Sequence, residues 1–388
     1  MKHKGVCYDV GRVMLEGDWR PNYDPKVVHR ELGLIKNDLH CNAVRICGLD
    51  IDRLRTAAFD ALDQGLEVWF SPEKWDKSQD DTMEYVTRAA SVAEELRKQW
   101  PDKILFSVGS ELTLFMKGIA EGENFFARLN NPSFWDNVRM GEYNEPLNSF
   151  LRKATSSVRE VFHGKVTYFS VPFEKVNWNI FDFLGVDLYR DTINQDYYDR
   201  TLKSIVESGK PVVIGEFGCC TYQGAEKLGG SGFMIIFDMI GDSVKRKLPP
   251  LISRMINIPP QIDGHYIRDE GLQAREISDQ LGVLDSAGVE GAFVYTFVSP
   301  TSPHVEDPRY DGDLANYTLV KSYSKPETAD QIIQQTAKIA KDILGVDLAR
   351  NALINFKGEV GKHGTTYPDM TWEPKESFRA VADYFTGH

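Results

Sequence analysis

Glu111 and Glu216 each stand where an apolar run stops and a loop begins: the first run covers residues 103–111, the second 210–216. Runs of this length and character read as buried strands. A carboxylate at the C-terminal end of a parallel strand opens into the mouth of an α/β barrel. Two carboxyl groups flanking a sugar there can break a glycosidic bond. About 5–5.5 Å between them suits a nucleophile and an acid/base working with retention, and about 6.5–9.5 Å suits inversion. The acid must keep its proton near neutral pH, by burial or a neighbouring anion, while the nucleophile must stay ionised. Arg45 lies inside another apolar run, and a buried arginine needs a paired anion, so it is the candidate cation for Glu216. Tyr189, at the end of a sixth apolar run, is the candidate hydrogen-bond donor to the same carboxylate.

Other residues near strand ends are candidates for holding substrate. Asp9 and Asp187 offer carboxylates to sugar hydroxyls or to Arg45, and Ser110 immediately precedes Glu111. Trp69 and Trp75 offer flat rings for a sugar face, or for the core. A rival chemistry uses sulfur: Cys7, Cys47 and the Cys219–Cys220 pair lie near strand ends and allow a thiolate nucleophile or a zinc site. No tight C-x-x-C spacing accompanies them. A third reading is a barrel without turnover that binds a glycan or a protein.

The elements that must position these groups alternate along the chain, which predicts βαβ units and a parallel sheet. Strands are expected near 5–10, 42–47, 66–71, 103–111, 165–171, 181–189, 210–216 and 289–297. Helices are expected from Asp24-Pro25 onward, from Asp50 to Gly65, over 82–98, 145–162 and 196–208, and over 374–384. Capping aspartates, an N1 proline and a C′ glycine support the first two. Eight strands in order predict an α/β fold, a (β/α)8 TIM barrel in one domain over residues 1–388. Two insertions stand out after strands 7 and 8. Residues 230–264 read as a lid or partner contact, with a homodimer as one form of the latter. Residues 325–362 read as a helical insertion before the last helix.

The chain has 388 residues, 42% of them hydrophobic and 26% charged, a globular balance. Its net charge of -12 leaves no basic excess to replace counterions, so nucleic acid is not expected as a partner. No membrane-spanning run and no signal core followed by a cleavage site is evident. Membrane contact is not expected. Five cysteines, two of them vicinal, do not make a secreted disulfide framework, and a cytoplasmic location is expected. Glycine fingerprints for nucleotides are absent, and no cofactor or metal is expected.

Several motifs resemble one large clan, the retaining glycoside hydrolases with (β/α)8 barrels. Asn42-Ala-Val-Arg45 resembles its strand-two arginine motif, Gly215-Glu216-Phe-Gly218 its nucleophile motif, and Val186-Asp-Leu-Tyr189 its strand-six tyrosine. The stretches 313–320 and 372–378 resemble its closing segment. Within the clan the chain looks most like a bacterial group labelled abortive-infection proteins, with similar runs at 38–45, 67–72 and 216–222. The resemblance implies Glu111 as acid/base, Glu216 as nucleophile, a carbohydrate or glycoside substrate, and a link to phage defence for the non-catalytic alternative. The clan usually places Asn before the acid/base to contact the sugar 2-hydroxyl, where this chain has Ser110. Its strand-eight tryptophan has no clear match, and Tyr295, Phe297 or His304 are the stand-ins.

Overall fold

Eight parallel strands close into a barrel in the computed structural model, which describes residues 1–14, 17–236, 262, 264–309, 311–323 and 363–387. They are β1 His3–Asp9, β2 Ala43–Gly48, β3 Glu67–Pro72, β4 Ile104–Ser110, β5 Val166–Ser170, β6 Leu184–Asp187, β7 Val212–Phe217 and β8 Gly291–Val294. They pair in chain order, and β8 returns to β1. The predicted (β/α)8 barrel is the observed fold. Most of the strands are rich in apolar residues, as expected where both faces of a sheet are covered.

The connecting helices form for the reasons the sequence offers. In α1, Pro25–Asn37, the Asp24 carboxylate caps the Lys26 N–H, and Val28, Leu32 and Ile35 make the buried face. In α2, Ile51–Asp63, Asp50 caps the N–H groups of Asp52 and Arg53. Helix α3 covers Gln79–Gln99, α4 covers Asn144–Val161 and α5 covers Tyr198–Val206. An 18-residue helix, α6 over Glu270–Ala287, precedes β8 and was not singled out from the sequence. Helix α7, Glu376–Gly387, closes the chain. Between β5 and β6 there is only a 3-10 turn, Trp178–Ile180.

The chain packs as two compact units. One comprises residues 1–217, 279–297 and 381–388 and holds the whole barrel. The other comprises 218–278 and 298–380. Its described part holds a buried ion cluster: Asp313 forms ion pairs with Arg268 at 2.7 Å and with Lys375 at 2.9 Å. The extra segments follow β7 and β8. Of 230–264, the stretch through 236 belongs to a 3-10 segment, Gly229–Ile236. Its remainder, apart from 262 and 264, lies outside the described residues, as does all of 325–362. The expectations of a lid, a dimer contact and a helical insertion fall there. No helix among the described residues is long and apolar enough to cross a membrane.

The barrel interior is filled by Cys7, Ala43, Trp69, Leu105, Phe169, Phe183, Val213 and Phe293. Trp69 is at its centre, with ring centroids 5.1 Å from Phe183 and 5.3 Å from Phe293. This packed layer is the floor on which the mouth residues stand.

Candidate active site

Glu111 directly follows β4 and takes a left-handed backbone (φ 49°, ψ 41°). Its N–H donates to Phe169 O at 2.8 Å, and a short helix begins at the next residue. A non-glycine residue in this region costs about 1–3 kcal/mol and is kept where the surroundings over-determine it. The β4–β5 register shifts between Ser107 and Ser110, and the β6–β7 register shifts at Asp187, which pairs with Glu216. Such irregularities re-aim side chains at barrel rims.

Glu216, on β7, is held from three sides. Its Oε1 accepts from Arg45 Nη1 at 3.3 Å and from Arg12 Nη2 at 3.3 Å, and its Oε2 accepts from the Tyr189 hydroxyl at 3.1 Å. Its side chain stays 12% exposed. Arg45 is 0% exposed. It also donates to Gly215 O at 3.1 Å and to Asp187 Oδ1 at 3.2 Å, and its guanidinium lies 3.9 Å over the Phe169 ring. Charge, hydrogen bonds and an aromatic face together offset the cost of burying it. Ser110 donates to Asp187 Oδ2 at 2.8 Å. Arg45, Tyr189, Ser110, Asp187 and Glu216 therefore form one connected group.

Glu111 is half-buried close to this group. Burial pushes its carboxyl well above the ordinary range, the negative charges of Asp187, Glu216 and Glu174 push further, and Arg45 opposes them. Burial also raises Asp187, against the pull of Arg45. Glu174 is pushed up to about 7 by burial, although Thr113 N–H and the Tyr168 hydroxyl donate to it. The electrostatics thus divide the two mouth glutamates: Glu111 is biased to hold a proton, and Glu216 faces two guanidinium groups.

Of the other expected substrate residues, Asp9 stays at the end of β1 with its Oδ2 3.5 Å from Arg12 Nε, and Trp69, Phe297 and His304 lie elsewhere. Trp69 is 1% exposed in the interior layer, and its indole donates to Glu67 at 2.8 Å, at the start of β3 and away from the mouth. Phe297 is 0% exposed beside Tyr8. Neither ring has a face free for a sugar. His304 belongs to the other unit, where Asp311 at 2.9 Å and Arg268 at 3.1 Å engage it. Asp9 binds the N–H groups of Gly11 and Arg12 at 2.7 and 2.9 Å, so it shapes the turn after β1. Two residues that sequence reasoning missed, Arg12 and Glu73, join the glutamate cluster. Tyr295, the third stand-in for a strand-eight tryptophan, accepts from Arg12 at 3.1 Å.

All five thiols are buried. Burial pushes Cys7 and Cys220 up, and Cys47 up to about 12. A nucleophilic cysteine needs the opposite shift. Among the described residues, no group of three His, Cys, Asp or Glu side chains is arranged to hold a metal.

No family model and no curated protein matches this chain. Solved structures do. Two structures of a GH113 beta-1,4-mannanase align over 100% of this chain and 100% and 99% of theirs, at 13% identity and TM-scores of 0.55 and 0.56. A GH5_18 structure from Streptomyces cattleya, in complex with GlcNAc, aligns over 99% of this chain and 80% of its own, at 12% identity and a TM-score of 0.50. At such identities the likeness is one of fold. The chain shares the (β/α)8-barrel fold of these structures. None of these three structures is an abortive-infection protein.

Proposed function

We propose that this protein hydrolyses or transfers glycosyl units with retention of configuration. The observation that carries the reading is the electrostatic division of the two strand-end glutamates, Glu216 facing Arg12, Arg45 and Tyr189 and Glu111 biased towards its protonated form. In the first step Glu216 attacks the anomeric carbon as the bond to the leaving oxygen breaks, and Glu111 gives that oxygen its proton. In the second, Glu111 takes a proton from water or an acceptor hydroxyl, whose oxygen displaces Glu216 from the anomeric carbon. Both groups then regain their starting protonation, and the cycle uses side-chain carboxyls alone.

The test is leaving-group dependence. Glu111→Gln should lower kcat/KM for unactivated glycosides by about 10²–10⁴-fold, the usual contribution of a positioned acid. Aryl glycosides with good leaving groups need little protonation and should lose far less in the first step. Equal losses on both substrate types would remove Glu111 from the acid role.

A further inference from the structure

Arg12 lies just past β1, and its side chain is 4% exposed. Besides its bond to Glu216, its Nη2 donates to Glu73 Oε1 at 3.0 Å, its Nε lies 2.8 Å from Glu73 Oε2, and its Nη1 donates to the Tyr295 hydroxyl. The rings of Trp19, Trp75 and Tyr295 stand 5.9, 5.6 and 5.5 Å from the guanidinium carbon. These partners surround the guanidinium, which is almost wholly buried.

Arg12 and Arg45 thus converge on one oxygen, Oε1 of Glu216. Two like charges so close, at a buried site, repel each other strongly. Glu73 answers the repulsion. It follows β3, is buried, and its Oε1 accepts from Arg12 and also from Arg45 Nη2 at 3.4 Å. Cation, anion and cation alternate around the mouth, with Glu216 closing the ring.

We infer that Arg12 and Glu73 are positioning residues: with Arg45 they form a two-guanidinium clamp that fixes the Glu216 carboxylate, Glu73 keeping the two guanidiniums together. Its geometry stands alone, whereas its kinetic consequence rests on the proposed nucleophilic role of Glu216. Glu216 also faces Asp187 of β6, Glu111 beyond β4, Tyr295 beyond β8 and the thiols of Cys7 and Cys47, all of which are retained in the variants below.

The experiment is a carbon-13 NMR titration of the full chain labelled at glutamate side-chain carboxyls, with the Glu216 signal assigned by its loss in Glu216→Gln. A carboxylate that loses a guanidinium neighbour takes up a proton more readily, so Arg12→Gln should raise the Glu216 midpoint by about one pH unit. Arg12→Lys keeps the charge without the planar fork and should recover part of the shift. In a Glu73→Gln background, adding Arg12→Gln should move the midpoint by less than it does alone. An unmoved midpoint in Arg12→Gln with the fold intact overturns the clamp. A full Arg12 effect without Glu73 removes Glu73 from it. Should Arg12→Gln fail to fold, Arg12→Lys decides: a midpoint equal to that of the parent overturns the fork-specific clamp, and a raised one supports it. The titration needs no substrate, so the two readings fail separately. A shift without any glycoside turnover keeps the clamp and sinks the glycosidase. Turnover with an unmoved midpoint does the reverse.

Discussion

Glu111 combines a left-handed backbone with a carboxyl raised by burial and by neighbouring anions. That combination ties stability to pH. An acid whose folded form holds its proton more tightly than the unfolded chain stabilises the fold while protonated. The contribution is present below the unfolded value, near the ordinary 4.5, and is lost as pH rises through the raised folded value. Glu111→Gln cannot ionise, so its melting temperature should gain on that of the parent protein as pH rises above the ordinary 4.5. Parallel curves above that value would show that Glu111 carries no such cost. At this scale the sequence was readable wherever a polar residue interrupts an apolar run. Arg45, Ser110, Glu111, Asp187, Tyr189 and Glu216 all stand out in that way. Glu73 does not, because it lies past a strand end beside Lys74, Asp76 and Lys77, where a charge reads as solvent-exposed, and Arg12, although it interrupts the apolar stretch from Val10 to Leu15, lies past the end of the expected first strand. Only the closed ring of strands puts Arg12 within hydrogen-bond reach of Glu216 and Glu73 within reach of both guanidiniums.

At the scale of elements, the strands and their caps were legible because periodicity and capping are local. The register shifts beside Ser110 and Asp187 were not, since a bulge is defined by the partner strand. Gly215 shows the coupling between strand and site. A Cβ there would meet Phe169 Cδ1 at 2.2 Å and Asp187 Oδ1 at 2.5 Å. The glycine lets β7 lie against the Phe169 ring that also supports Arg45. Gly215→Ala should destabilise the protein by about 1–3 kcal/mol through overpacking. It should also displace Asp187 and cut turnover more than the stability loss explains. Urea titration beside kcat/KM at a temperature where the variant is folded checks this. Full activity in a folded variant would show that Asp187 needs no fixed place.

At the scale of the molecule, the barrel binds its eight strands through a shared interior, and Trp69 is its largest side chain. Trp69→Ala should cost about 3–5 kcal/mol in chemical denaturation, and Trp69→Phe markedly less. KM of the folded Trp69→Phe variant should match the parent, because the ring sits below the mouth. A large rise in KM without a loss of stability would return Trp69 to the substrate. Phe297 was misplaced for the same reason. An aromatic residue near a strand end has equal claim to core and ligand until the depth of its layer is known.

The chain's alternation of apolar and amphipathic runs, its aspartate caps and its strand-end glutamates determined the (β/α)8 barrel and the residues at the centre of its mouth. These signals are local: hydrophobic period, helix termini, and a charge set against an apolar run. The tertiary structure decided which groups touch. It set Arg12 beside Glu216 and Glu73 between the two guanidiniums, tied Ser110 to Asp187, sank Trp69 and Phe297 into the interior, and placed His304 in the second unit. Those outcomes depend on barrel closure and strand register, which bring together residues as far apart as Arg12 and Tyr295, a juxtaposition that local patterning does not encode.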